Sequence, residues 1–63
     1  MAHRILRLPA VMDVTGLGRT TVYEQMAAGL FPKGIKLSER AVGWLEDDIQ
    51  NWIETKVLES KND

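Results

Sequence analysis

The chain has no cysteine, so neither a disulfide nor a thiolate metal site can support its fold. Its single histidine, His3, has no partner at metal-ligand spacing. No apolar run approaches the roughly 18 residues of a membrane span. No signal-peptide pattern precedes the first polar residues. The expectation is a soluble cytoplasmic protein with no membrane partner. No nucleophile–base pair is present either. Asp47 and Asp48, adjacent on a helix, point in different directions and lack the partners that catalysis or metal binding needs. The expectation is therefore a protein that is not an enzyme and takes no cofactor or metal. Little core is available as well: 63 residues allow at most one domain, 1–63. A chain of that size buries only about 60% of the surface it exposes when unfolded. So small a core leaves little room for a ligand pocket.

What is present is an uneven charge distribution. The net charge of −1 argues against a nucleic-acid partner. Through Trp44, however, Arg4, Arg7, Arg19, Lys33, Lys36 and Arg40 face only Asp13, Glu24 and Glu39, six against three, or +3. From Leu45 onward Lys56 and Lys61 face Glu46, Asp47, Asp48, Glu54, Glu59 and Asp63, two against six, or −4. Such a chain can turn a basic face to an anion and keep its acids behind it. An evenly solvated surface is the plainer reading.

The periodicity gives an element order. Residues 4–8 read as an extended arm or an edge strand. Pro9 suits the first position of a helix, about 9–15, whose apolar face is Val11, Met12 and Thr15 and which Gly16 ends. A second helix, about 19–28, carries Val22, Met26 and Leu30 at i, i+4, i+8 as its inner stripe, with Gly29 just past its end. Phe31 and Pro32 then break the pattern and send the chain outward. Ile35, Leu37, Val42 and Trp44 alternate with polar or small residues around Ser38-Glu39-Arg40, a hairpin over about 34–44. Glu46, Asp47 and Asp48 favour a helix start. Ile49, Trp52, Ile53 and Val57 carry that third helix over about 46–58, with residues 60–63 expected to fray. Both tryptophans fall on inward positions and read as core; a stacking platform for single-stranded nucleic acid is the alternative. Met12 and Met26 read as core filler.

Two short helices joined across a glycine turn form a helix-turn-helix, and a trailing hairpin makes it winged. The expected fold is mainly α with a small β-hairpin. In such a unit the second helix lays its N-terminal part in the DNA major groove. Thr20, Thr21, Glu24 and Ala27 point most nearly away from Val22 and Met26, with Arg19 and Tyr23 on a flank. Arg19 suits a guanine edge or a phosphate. Tyr23 suits the sugar-phosphate edge, and Glu24 suits cytosine N4 or a positioning role. Lys33, Lys36 and Arg40 would supply wing contacts to phosphates or the minor groove, and Arg4 and Arg7 would extend the basic surface. Charged hairpin residues also serve to block edge pairing.

The run "RLPAVMDVTGLGRTTVYEQMAAGLFPKGIKLSERAVGWLEDDIQNWI", residues 7–53, resembles the AlpA family of phage and prophage regulators. The pieces that carry it are "RLPAV", "TGLGRTTVYEQMAAGLFPKGIKL" and "AVGWLEDDIQNWI". The resemblance implies a MerR-like, excisionase-like winged helix-turn-helix that binds double-stranded DNA and regulates transcription. Members are typically encoded by prophages or integrative elements, and some are linked to excision. Arg19, Thr20, Thr21 and Tyr23 match the family's helix-start pattern, so the resemblance carries the DNA-contact role to them. Trp44 matches its "GW". Gly18 stands where many members have serine, and Glu24 stands at a position often basic in relatives.

Three functions follow as expectations. One is a sequence-specific regulator, cytoplasmic and at the nucleoid when bound. Another is an architectural excision factor that bends DNA and contacts an integrase. The last is a protein-interaction module working through the acidic third helix. RNA polymerase is a further partner under the first. The short third helix leaves no dimerising coiled coil, so a monomer that assembles side by side on DNA is expected.

Overall fold

The computed structural model describes residues 3–61. Its elements are β1 (Ile5–Leu6), α1 (Leu8–Thr15), α2 (Arg19–Ala27), β2 (Ile35–Lys36), β3 (Val42–Leu45) and α3 (Glu46–Lys61). The N-terminal segment is an edge strand: β1 pairs antiparallel with β3, which pairs antiparallel with β2 on its other side. The hairpin thus becomes a three-stranded sheet in the order β1-β3-β2.

Local chemistry sets the turn between α1 and α2. Pro9 lies in the first turn of α1, where its fixed φ is helical and its missing N–H leaves no gap. Gly16 ends that helix at φ 75°, a left-handed conformation that a Cβ would strain. Thr15 secures the turn, because its Oγ1 donates to the Val11 carbonyl at 2.7 Å and accepts the Leu17 N–H at 3.3 Å. Thr15 is therefore half-buried and hydrogen-bonded, a bracket between helices more than part of an apolar face.

At the far end of α2 the inner stripe departs from its expected course. Gly29 adopts φ 75°, its N–H reaches the Met26 carbonyl at 3.1 Å, and the Leu30 N–H reaches the Gln25 carbonyl at 2.8 Å. This pair of bonds is a Schellman closure. The chain has left the helix by then, so helical spacing no longer decides which side chain faces in. Leu30 is 62% exposed, and Phe31, expected to lead outward, is 5% exposed in the core.

Six side chains form that core, each from a different segment: Leu6, Val11, Val22, Phe31, Trp44 and Ile49. Burying one such side chain is worth about 1.5–3 kcal/mol. Met26, Trp52 and Ile53 pack against the cluster, whereas Met12 is half-buried outside it. Val57, expected in the α3 stripe, is half exposed, because α3 runs on past the core. The helix continues through Lys61 instead of fraying at Ser60; Asn62 and Asp63 lie outside the described residues.

Register divides the wing's apolar residues between two faces. Leu6 opposes Trp44 and Lys36 opposes Val42, so these side chains share one face of the sheet, buried at Leu6 and Trp44 and exposed at Lys36 and Val42. Ile35 opposes Gly43 on the outer face, where Ile5 also lies, and both are over a third exposed.

Candidate functional site

The two indoles tie the segment after α2 to the sheet and to α3. Trp44 Nε1 donates to the Pro32 carbonyl at 3.1 Å, and Trp52 Nε1 donates to the Leu30 carbonyl at 2.9 Å. Phe31, between those two carbonyls, meets Trp52 edge-on, with ring centroids 5.0 Å apart and planes at 64°. The segment from α2 to β2 is thereby fixed at both ends. At 1% exposure Trp44 has no face free for a base, and the Trp52 ring is taken up by Phe31 and by Lys56 Nζ at 5.6 Å. Sequence reasoning placed both rings inward but not their hydrogen bonds. The available signal was that a buried indole N–H requires an acceptor.

On α2, Val22 is fully buried, and Arg19, Thr20, Tyr23, Glu24 and Ala27 are exposed. Thr21 differs from expectation: it is half-buried, on the same helix strip as half-buried Gln25 one turn later. The helix begins at Gly18 in extended conformation with no side-chain cap. Its first intrahelical bond is the Val22 N–H to the Gly18 carbonyl at 3.0 Å. The preceding amides, of Arg19, Thr20 and Thr21, thus meet no capping side chain and form the positive end of the helix dipole.

The basic residues of the first 44 positions separate into distinct places. Arg4 pairs with Glu46 at 3.4 Å, and its carbonyl accepts the Glu46 N–H at 2.8 Å, so it anchors the start of α3. Lys33 stands beside a surface cleft shared with Asp48, Asn51 and Thr55. Lys36 is exposed on β2, on the sheet face shared with Val42. Arg7, Tyr23 and Arg40 come together: all three line one cavity of about 210 Å³ between the start of α1, α2 and the wing. The Arg7 Nε donates to the Val42 carbonyl at 3.1 Å across this junction. Among the described residues the ion pairs are Arg4–Glu46 and Lys56–Glu59, so Arg7, Arg19, Lys36 and Arg40 keep uncompensated guanidinium or ammonium groups. That convergence was not readable from residues 16 to 33 positions apart, because only the tertiary fold brings them to one seam.

Among the described residues no group of three or more His, Cys, Asp or Glu is placed to hold a metal ion. Among the described residues no helix is long and apolar enough to cross a membrane.

Helix α1, the bracketed turn, an exposed second helix and a sheet hinged to it through Trp44 define a winged helix-turn-helix. The family model described as "Prophage CP4-57 regulatory protein (AlpA)" matches residues 4–57, nearly every element of that architecture. The chain belongs to this AlpA family. It is 41% identical over 58 residues to the "DNA-binding transcriptional activator AlpA" of Escherichia coli (strain K12), an alignment covering 82% of this chain and 83% of that protein. It is 36% identical over 59 residues to the "Uncharacterized protein ORF88" of Enterobacteria phage P4, covering 94% of this chain and 67% of that one.

Proposed function

We propose that this chain is a sequence-specific double-stranded DNA-binding regulator of transcription carried by a prophage or integrative element. The observation that carries the proposal is the exposed, uncapped N-terminal half of α2, set beside a wing whose bases lack acidic partners among the described residues. Helix α2 enters the major groove, where Arg19 and Thr20 reach base edges and Glu24 sets register or accepts from cytosine. Half-buried Thr21 acts chiefly through its backbone amide, which with those of Arg19 and Thr20 suits a phosphate oxygen. Lys36 and Arg40 hold the adjacent backbone from the wing. The chain works by occupying DNA and recruiting or blocking other proteins, not by chemistry. The similarity to the E. coli relative, a DNA-binding transcriptional activator, supports the reading. So does the family's description as a prophage regulatory protein.

One feature favours protein interaction as a second reading. A surface groove between α1 and α3 has an apolar floor of Val14, Ile53 and Val57. The test that separates the two is Arg19→Ala, assayed on duplexes that the parent selects from a random pool. Loss of one good side-chain contact to a base should cost about 1–3 kcal/mol, or roughly 5- to 150-fold in affinity. Parent-like DNA binding by Arg19→Ala would remove α2 from the interface.

A further inference from the structure

We infer that Arg7, Tyr23 and Arg40 form a clamp for a single DNA backbone phosphate at the seam between α2 and the wing. This inference rests on the DNA-binding reading above.

The three side chains come from the start of α1, the middle of α2 and the hairpin turn, yet they line one cavity. No acidic residue lines it; its remaining walls are Leu8, Pro9, Val42 and Trp44. A cleft with charge of one sign against apolar walls concentrates the field at its mouth. Its volume, about 210 Å³, is below the roughly 300 Å³ at which small-molecule sites begin, so its occupant is the size of an ion or of one group on a larger chain.

Arg7 is already oriented for such a group. Its Nε donates to the Val42 carbonyl at 3.1 Å, which aligns the guanidinium while both Nη groups keep their hydrogens for an outside acceptor. Arginine suits phosphate because its planar fork presents parallel donors. Tyr23 is 46% exposed and adds a hydroxyl donor from α2, and Arg40 closes the opposite side from the wing. A tetrahedral phosphate can accept from all three directions. A linkage seated here would also fix the angle between recognition helix and wing, since each contributes a donor.

The test uses the full chain and the duplex it selects from a random pool. Single methylphosphonate linkages, each removing one backbone charge, are placed in turn along that duplex. Arg7→Ala and Arg40→Ala should each weaken binding of the unmodified duplex roughly 10-fold or more. Each should lose little further on the duplex neutralised at one particular linkage, the same for both. Tyr23→Phe removes only the hydroxyl and leaves the bond to Val42 in place. It should show a smaller loss with the same non-additivity at that linkage. The salt dependence of log Kd should fall by about one ion when both arginines are replaced together, the count for one neutralised phosphate.

Losses that multiply at every linkage, or that fall on different linkages for the two arginines, would overturn the clamp while leaving the DNA reading standing. A parent chain that selects no duplex would remove the DNA reading, and the clamp with it.

Discussion

Replacing Phe31 with leucine tests the point at which packing and sequence pattern diverge most. Phe31 is 5% exposed and meets Trp52 edge-on at 5.0 Å, in the segment whose flanking carbonyls bind the two indoles. Leucine keeps the apolar character and most of the volume, a change of shape that costs under about 1.5 kcal/mol. It also forfeits the edge-to-face contact, worth about 0.5–1.5 kcal/mol beyond area burial. The expected loss is about 0.5–3 kcal/mol from these two contributions. At roughly 0.05–0.15 kcal/mol per residue, a chain of this size has only about 3–9 kcal/mol in all. The fall in Tm should therefore be about 2–24 °C, at about 4–8 °C per kcal/mol for a domain this small. Urea unfolding followed by far-UV circular dichroism gives the free energy, and tryptophan fluorescence reports the surroundings of Trp44 and Trp52 in the same titration. In a double-mutant cycle with Trp52→Leu, a coupling of about 0.5–1.5 kcal/mol is expected. If Phe31→Leu stayed within about 0.5 kcal/mol of the parent, as surface substitutions do, Phe31 would be a loop residue and the packing argument would be refuted.

The two other stability predictions concern the closure after α2 and the turn before it. Gly29→Ala should cost about 1–2 kcal/mol, because alanine at φ 75° meets the left-handed penalty. Gly18→Ala, at an extended φ of −77°, escapes that penalty, so equal losses at the two glycines would refute the conformational explanation. Thr15→Val should cost about 1–2 kcal/mol, since the Leu17 N–H loses its acceptor while the shape is kept. Unchanged thermal unfolding of Thr15→Val would show that the hydroxyl does not hold the turn between α1 and α2.

Much of the fold was legible because its signals are local. Pro9 at the start of α1, Gly16 and Gly29 at helix ends, and the acids Glu46, Asp47 and Asp48 opening α3 each act within a turn of their own position. Periodicity failed where a helix ended inside the window being read. Leu30 kept the spacing of Val22 and Met26 on paper, but the left-handed residue at Gly29 rotated the chain and gave the inward slot to Phe31. Val57 kept the spacing of Ile49 and Ile53, yet it lies in an open groove beside Val14 of α1 and stays half exposed. On the exposed face of α2 the pattern separated Arg19, Thr20, Tyr23 and Glu24 from Val22, but it did not show that Thr21 is half-buried.

The sequence by itself determined the element order, the inward placing of the two indoles, the helix-turn-helix signature and the concentration of bases in the first 44 residues. All of these depend on residue type and short spacing. Tertiary structure alone decided that β1 joins the wing's sheet, that Arg4 is engaged by Glu46, and that Lys33 stands apart from the other bases. It also decided that Arg7, Tyr23 and Arg40 meet at one seam. The physical reason is that charges carry no periodicity of their own. Where they come to rest is settled by the apolar contacts of Leu6, Val11, Val22, Phe31, Trp44 and Ile49, which bring distant segments together without regard to the charges beside them.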